Sequence, residues 1–229
     1  GYFDPTVGPL VNLWGFGPQK SSKKPSEYEI KKTLKFVGYK KLSLKKNKLK
    51  KSSKKLYLDL SSVAKGFAVD QLSKRLKSLD YNNHLVEIGG ELKAYGKKSP
   101  KRPWIIGIEK PNASNTVHEL IVLSDLAIAT SGDYRNYYDT AEGTFTHTVS
   151  PLSGEARASN LLSVSVLARE CMHADALATA LMVMGEKKAL SFIKTHKLAA
   201  YMIVKRKNGF KTLISDSFKK SLRRNSKNV

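Results

Sequence analysis

Residues 173–215 read HADALATALMVMGEKKALSFIKTHKLAAYMIVKRKNGFKTLIS. From about His173 to His196 the apolar residues recur at helical spacing, and Gly185 predicts a break. Ala199 to Arg206 and Phe210 to Ser215 are two strand-forming runs, and Asn208-Gly209 between them is a strong hairpin turn. A long helix running straight into a hairpin sets the pattern for the chain. Further strands fit Tyr57 to Leu60, Leu85 to Ile88 closed by Gly89-Gly90, Trp104 to Glu109 closed by Pro111, His118 to Val122, Ala127 to Thr130, and Leu162 to Ala168. Strands in consecutive groups with two or three packing helices predict an α+β fold with mixed or antiparallel sheets. No repeat period marks a solenoid.

Towards the start, Gly8, Gly15, Gly17 and prolines 5, 9 and 18 surround Leu10-Val11-Asn12-Leu13-Trp14, which predicts a structured loop without regular elements. Ser26-Glu27-Tyr28-Glu29 is a capping box, and Ile30, Leu34 and Val37 carry a short helix on to Gly38. Lys40 to Lys55 alternates leucines with lysines, as an edge hairpin would to block strand addition. Ser61 or Ser62 caps a helix to about Ser78, with Val63, Phe67, Ala68, Leu72 and Leu76 as its apolar positions.

The chain has 229 residues and a formal net charge of +22. Fifteen lysines and two acids between Lys20 and Lys55 supply +13 of that. A second cluster, Lys219, Lys220, Arg223, Arg224 and Lys227, forms a basic tail over 219–229 with no aromatic residue to stack on bases. These lysines read as a solvated face, with anionic lipid as the alternative ligand and nucleic acid excluded for want of any binding signature. The single Cys171 rules out an internal disulfide framework. No apolar run is long enough to span a bilayer, and no export signal is visible.

Several patches carry polar chemistry. Asp59-Leu60-Ser61-Ser62-Val63-Ala64-Lys65-Gly66 places small residues at a helix N-terminus, where free N–H groups attract anions; an ordinary cap with Lys65 in solvent is the other reading. Asp175 and Thr179 share a helix face as two hard oxygen ligands suited to Mg²⁺. Alternatively, Thr179 bonds back to the carbonyl four residues earlier. His173 is not expected to join them, because imidazole is a poor Mg²⁺ ligand. His147, in Thr144-Phe145-Thr146-His147-Thr148-Val149-Ser150-Pro151, leaves a strand end and is either a general base or structural. Arg135, in Ala129-Thr130-Ser131-Gly132-Asp133-Tyr134-Arg135, either grips phosphate or pairs with Asp133. Nucleotide-binding P-loop and dinucleotide-fold glycine motifs are absent from the sequence, as is a nucleophile elbow.

Taken in order, DPTVGPLVNLWGFGP, DLSSVAKGFAVD, the IGGEL turn, ATSGDYRNYY, HTVSPLSG and ADALATALMVMG resemble the ApbE family of FAD:protein FMN transferases over residues 1–218. The resemblance implies one two-lobed flavin transferase domain, whose relatives usually continue upstream of the position matching Gly1. It implies transfer of FMN from FAD to a threonine hydroxyl of a membrane-bound redox protein, with Mg²⁺ required and AMP released. FAD pyrophosphatase activity and a non-catalytic flavin-binding fragment are the alternatives. Carried over by motif, Asp175 and Thr179 are metal ligands, with a further oxygen from Ser62. Tyr2, Phe3, Asp4, Asp59, Lys65 and Val149 fall at flavin-nucleotide positions, and His147 at the residue that deprotonates the acceptor hydroxyl. The family's members commonly sit as lipoproteins on the periplasmic side of the cytoplasmic membrane. Ser150 and Ala178 stand where family members often carry a carboxylate.

Overall fold

The computed structural model describes residues 1–18, 20–110, 117–133, 136–156 and 158–220. They form two compact units: one from Gly1–Ser62 with Arg135–Ser159, the other from Val63–Tyr134 with Asn160–Val229. The α+β expectation holds, and the described sheets are antiparallel throughout.

In the first unit, α1 (Gly8–Leu13) replaces the predicted irregular loop. A proline in its first turn needs no N–H partner and presets the helical φ, which lets a short Gly- and Pro-rich run turn helical. Helix α2 (Glu27–Leu34) has the full capping box at Ser26 and Glu29 but stops at Leu34, short of Gly38. Strands β1 (Leu42–Lys45) and β2 (Lys48–Lys51) pair as a separate two-stranded sheet rather than as the edge of a larger one. Their turn residues Lys46 and Asn47 both have positive φ. No strand forms at Tyr57 to Leu60. There the Tyr57 ring lies over Gly8, where a Cβ would come within 2.4 Å of it, and Asp59 N–H donates to the Pro5 carbonyl. These contacts to the first loop replace a strand partner.

Two more strands, β8 (Tyr137–Thr140) and β9 (Gly143–Thr146), close as a hairpin within this unit. Its core joins Leu10, Trp14, Ile30, Val37, Phe145, Val149 and Ala156. The Trp14 indole N–H donates to the Gly154 carbonyl at 2.7 Å. Gly154 has φ +77°, and a Cβ there would stand 2.5 Å from Ile30, so only glycine closes this turn.

The second unit is built on a six-stranded sheet in the order β12-β11-β10-β7-β4-β3. These strands are β3 (His84–Ile88), β4 (Glu91–Tyr95), β7 (Ala127–Gly132), β10 (Leu161–Ala168), β11 (Ala199–Arg206) and β12 (Gly209–Ile214). Helix α4 (Cys171–His196) covers one face through Ala174, Ala178, Leu181, Met182 and Ile193 against Val164, Val166, Ala200, Met202 and Val204. The hairpin of β5 (Trp104–Glu109) and β6 (Val117–Leu123), together with Phe218, covers the other face over Ile128, Tyr201 and Ile203. Strand β11 is therefore buried on both sides, which is why it reads as the unbroken run Tyr201-Met202-Ile203-Val204. Gly185 breaks α4 as expected, with φ 69° and ψ 169°.

Helix α3 (Ser61–Ser78) has the predicted extent but not the predicted face. Phe67 and Leu72 are each 50% exposed, while Gly66, Val69, Asp70 and Ser73 are buried. Neither serine is needed as the cap, because Ser61 is already helical and its N–H and hydroxyl both donate to the Asp59 carboxylate. Among the described residues, no helix is long and apolar enough to cross a membrane.

Candidate functional site

Within the second unit, α3 and α4 meet at Gly66. A Cβ there would lie 2.6 Å from the Cys171 carbonyl oxygen, so the glycine allows direct backbone contact between the helices. The Gly66 N–H donates to Asp175 Oδ2 at 3.2 Å, the one hydrogen bond this carboxylate makes among the described residues. Asp175 is buried. Burial pushes its pKa up, and the Gly66 N–H and the Lys65 charge offset only part of the rise. Thr179 lies one turn further along the same face. Among the described residues its hydroxyl forms no bond back to the Asp175 carbonyl, which leaves that oxygen available.

Lys65 Nζ lies 2.6 Å from Glu91 Oε2 and 3.4 Å from the Gly89 carbonyl. Glu91 is 2% exposed. Burial drives its pKa up, the Lys65 contact opposes this, and the nearby Asp175 charge adds to it. Sequence reading passed over this carboxylate because IGGEL reads as a turn. It is a turn, with Gly89 and Gly90 both at positive φ, and Glu91 is the first residue of β4 behind it. A charged residue directly after a glycine pair was the available signal. The ion pair of buried Asp70 with half-buried Lys93, at 2.6 Å, was also missed. Asp70 lies one turn after Gly66 on the α3 face turned to α4.

Cys171 is fully buried, and burial, followed by Asp70, Asp175 and Glu91, pushes its thiol up to about 12. It is a core residue, packed with Val69, Val86 and Ala127. His173 is exposed beside Glu170 and makes no part of the Asp175 face.

The other expected site residues belong to the first unit. Asp4 is buried, accepting from Thr6 N at 2.9 Å, Thr6 Oγ1 at 2.6 Å and Tyr39 N at 2.9 Å. Val149 puts its side chain in the core. Tyr2, Phe3 and Asp59 are half-buried, and Ser62 is half-buried in the first turn of α3. His147 directly follows β9; its backbone N–H and Nδ1 both approach the Asn136 carbonyl, at 3.2 and 3.3 Å. Ser150 accepts from the N–H groups of Leu152 and Ser153 and so holds the turn at Pro151. Ala178 is buried against the sheet. Arg135 lies outside the described residues.

Among the described residues no three His, Cys, Asp or Glu side chains cluster to hold an ion. A site built on one carboxylate and one hydroxyl suits Mg²⁺, which takes few protein ligands and completes its shell with water and phosphate oxygens. The buried Asp175 carboxylate, with one backbone donor, and the Thr179 hydroxyl are the residues here that could hold such a cation.

Residues 1–202 match the model of the ApbE family. The chain belongs to the ApbE family. It is 44% identical over 227 residues to the FAD:protein FMN transferase of Haemophilus influenzae, covering 96% of this chain and 66% of that protein. The Vibrio cholerae transferase is 43% identical with the same coverage. The chain thus spans about 66% of the length of these curated relatives. The apo flavinyl transferase ApbE of Pseudomonas stutzeri superposes with a TM-score of 0.88 at 39% identity, over 97% of this chain and 69% of that one. The antiparallel fold described above is therefore the ApbE fold.

Proposed function

We propose that this chain acts as an Mg²⁺-dependent FAD:protein FMN transferase, moving FMN from FAD to a threonine hydroxyl and releasing AMP. The observation that carries the reading is Asp175, a buried carboxylate with one backbone partner and a free hydroxyl one turn away. The names of the ApbE relatives support the flavin chemistry. In this reading Asp175 and Thr179 hold the metal, with Ser62 as a further oxygen donor. Lys65 supplies positive charge for the flavin nucleotide while Glu91 restrains it, and Tyr2, Phe3, Asp4, Asp59 and Val149 lie along the nucleotide. A bound Mg²⁺ offsets the charge that develops on the pyrophosphate oxygens. His147 takes the proton from the threonine hydroxyl. The threonine oxygen then bonds to the FMN-side phosphorus as the bond to the AMP phosphate breaks. We place the acceptor threonine on a membrane-bound redox protein at the periplasmic face of the cytoplasmic membrane.

Incubation with FAD, Mg²⁺ and a threonine-bearing target peptide tests this. The expected result is a peptide heavier by FMN together with free AMP. An unmodified peptide with free FMN and AMP would instead make the chain an FAD pyrophosphatase, and no AMP under any metal would make it a flavin-binding module.

A further inference from the structure

The buried face of α3 holds α4 at two points one helical turn apart. At the first, Gly66 N–H donates to Asp175 Oδ2. At the second, the 3%-exposed Asp70 accepts from Cys171 N–H on Oδ1 and Met172 N–H on Oδ2, each at 3.0 Å. Helix N-termini leave backbone donors without intrahelical partners, and the N-cap residue of α4, Glu170, makes no side-chain cap bond. Asp70 therefore caps α4 from another helix, about a hundred residues away in sequence. Such charge-assisted bonds are about twice as strong as neutral ones. Lys93, 2.6 Å from Oδ1, compensates the buried charge. Burial pushes the Asp70 carboxyl up, but Lys93 and the two backbone N–H groups outweigh it and hold the carboxyl below its ordinary value. Spending the α3 face on this cap explains why Phe67 and Leu72 are left in solvent.

We propose that Asp70 is a positioning residue for the metal carboxylate Asp175: it locks the first turn of α4, and with Gly66 fixes where the Asp175 oxygens point. This rests on the reading of Asp175 as a metal ligand. Asp175 sits one turn after Cys171, so a frayed first turn leaves its carboxylate with the Gly66 N–H alone. Asp70 touches neither metal nor flavin in this role.

The test titrates Mn²⁺, standing in for Mg²⁺, into the chain with FAD present, followed by electron paramagnetic resonance. Amide hydrogen exchange over residues 171–175 and a thermal melt are run alongside. Asp70→Ala is expected to weaken Mn²⁺ binding by about 10- to 100-fold and to speed exchange at Cys171 and Met172, while the sheet amides stay protected. Asp70→Asn, which keeps one acceptor, recovers part of both. Mn²⁺ affinity within about twofold of wild type in a folded Asp70→Ala variant overturns the proposal, as does failure of both variants to fold, which would reduce Asp70 to a folding residue. A loss in Lys93→Met equal to that in Asp70→Ala also overturns it, by assigning the effect to charge compensation rather than to the cap. A wild-type chain that binds no Mn²⁺ sinks the metal-ligand reading itself, and this role with it.

Discussion

Asp4 in the first unit and Asp175 in the second are equally buried, each 6% exposed, yet their surroundings treat them differently. Asp4 is saturated: three donors within 2.9 Å fill both of its oxygens, and Thr6, itself buried, passes the network on by accepting from Gly38 N–H at 2.6 Å. Asp175 has one backbone donor at 3.2 Å and a pKa raised by burial. A carboxylate whose lone pairs are spent on the chain's own backbone builds structure. One left under-compensated at equal depth holds a buried cost that a cation would remove. Burial alone does not separate the two roles; the number of donors does.

Four experiments would break or sharpen that contrast. The largest effect is expected from Asp175→Ala, which should cut Mg²⁺-dependent AMP release by ~10²-fold or more and leave the circular dichroism melt nearly unchanged. Activity at the wild-type level in that variant would remove the metal assignment. His147→Ala should slow FMN transfer by about 10²-fold with FAD binding retained by fluorescence titration. Loss of FAD binding would instead make this histidine a residue that positions the nucleotide.

Asp4→Ala should lower stability, which Asp175→Ala leaves nearly unchanged. It strands the N–H groups of Thr6 and Tyr39, so urea denaturation is expected to show a loss of about 2–4 kcal/mol. A stability change under about 0.5 kcal/mol would dissolve the contrast between the two carboxylates. The smallest effect concerns pH. Asp70 has a folded pKa below its ordinary 3.8, so its contribution is present above that value and fades as pH falls through the depressed one. Asp175 and Glu91 have raised values, so they bind protons more tightly when folded, and stability gains as pH falls through those values. In urea melts across this range, Asp70→Asn should flatten the acid-side loss and Glu91→Gln should remove part of the gain above it. A Glu91→Gln profile parallel to wild type would show that Glu91 carries no raised pKa.

Much of this is readable in the sequence alone. Ser26 and Glu29 form the capping box, Gly185 breaks α4, and β11 turns into β12 within one residue of the expected place, at Lys207-Asn208 with Gly209 opening β12, because each feature depends on residues within a few positions of one another. Asp175 and Thr179 fell on one helix face for the same reason. The buried side of α3 could not be read this way. Its leucines and phenylalanine mark an apolar stripe, but the side that packs is chosen by Gly66 and Asp70, whose partners lie more than a hundred residues away.

Local chemistry in the sequence thus determined where helices start and break, where hairpins turn, and which oxygens share a face, since caps, turns and helical periods are short-range effects. Only the tertiary structure decided which of two equally buried aspartates is saturated, that Glu91 sits behind a glycine turn against Lys65, and that α4 is capped by Asp70. Those outcomes turn on how many donors reach an oxygen from elsewhere in the chain, a count that neighbouring residues do not set.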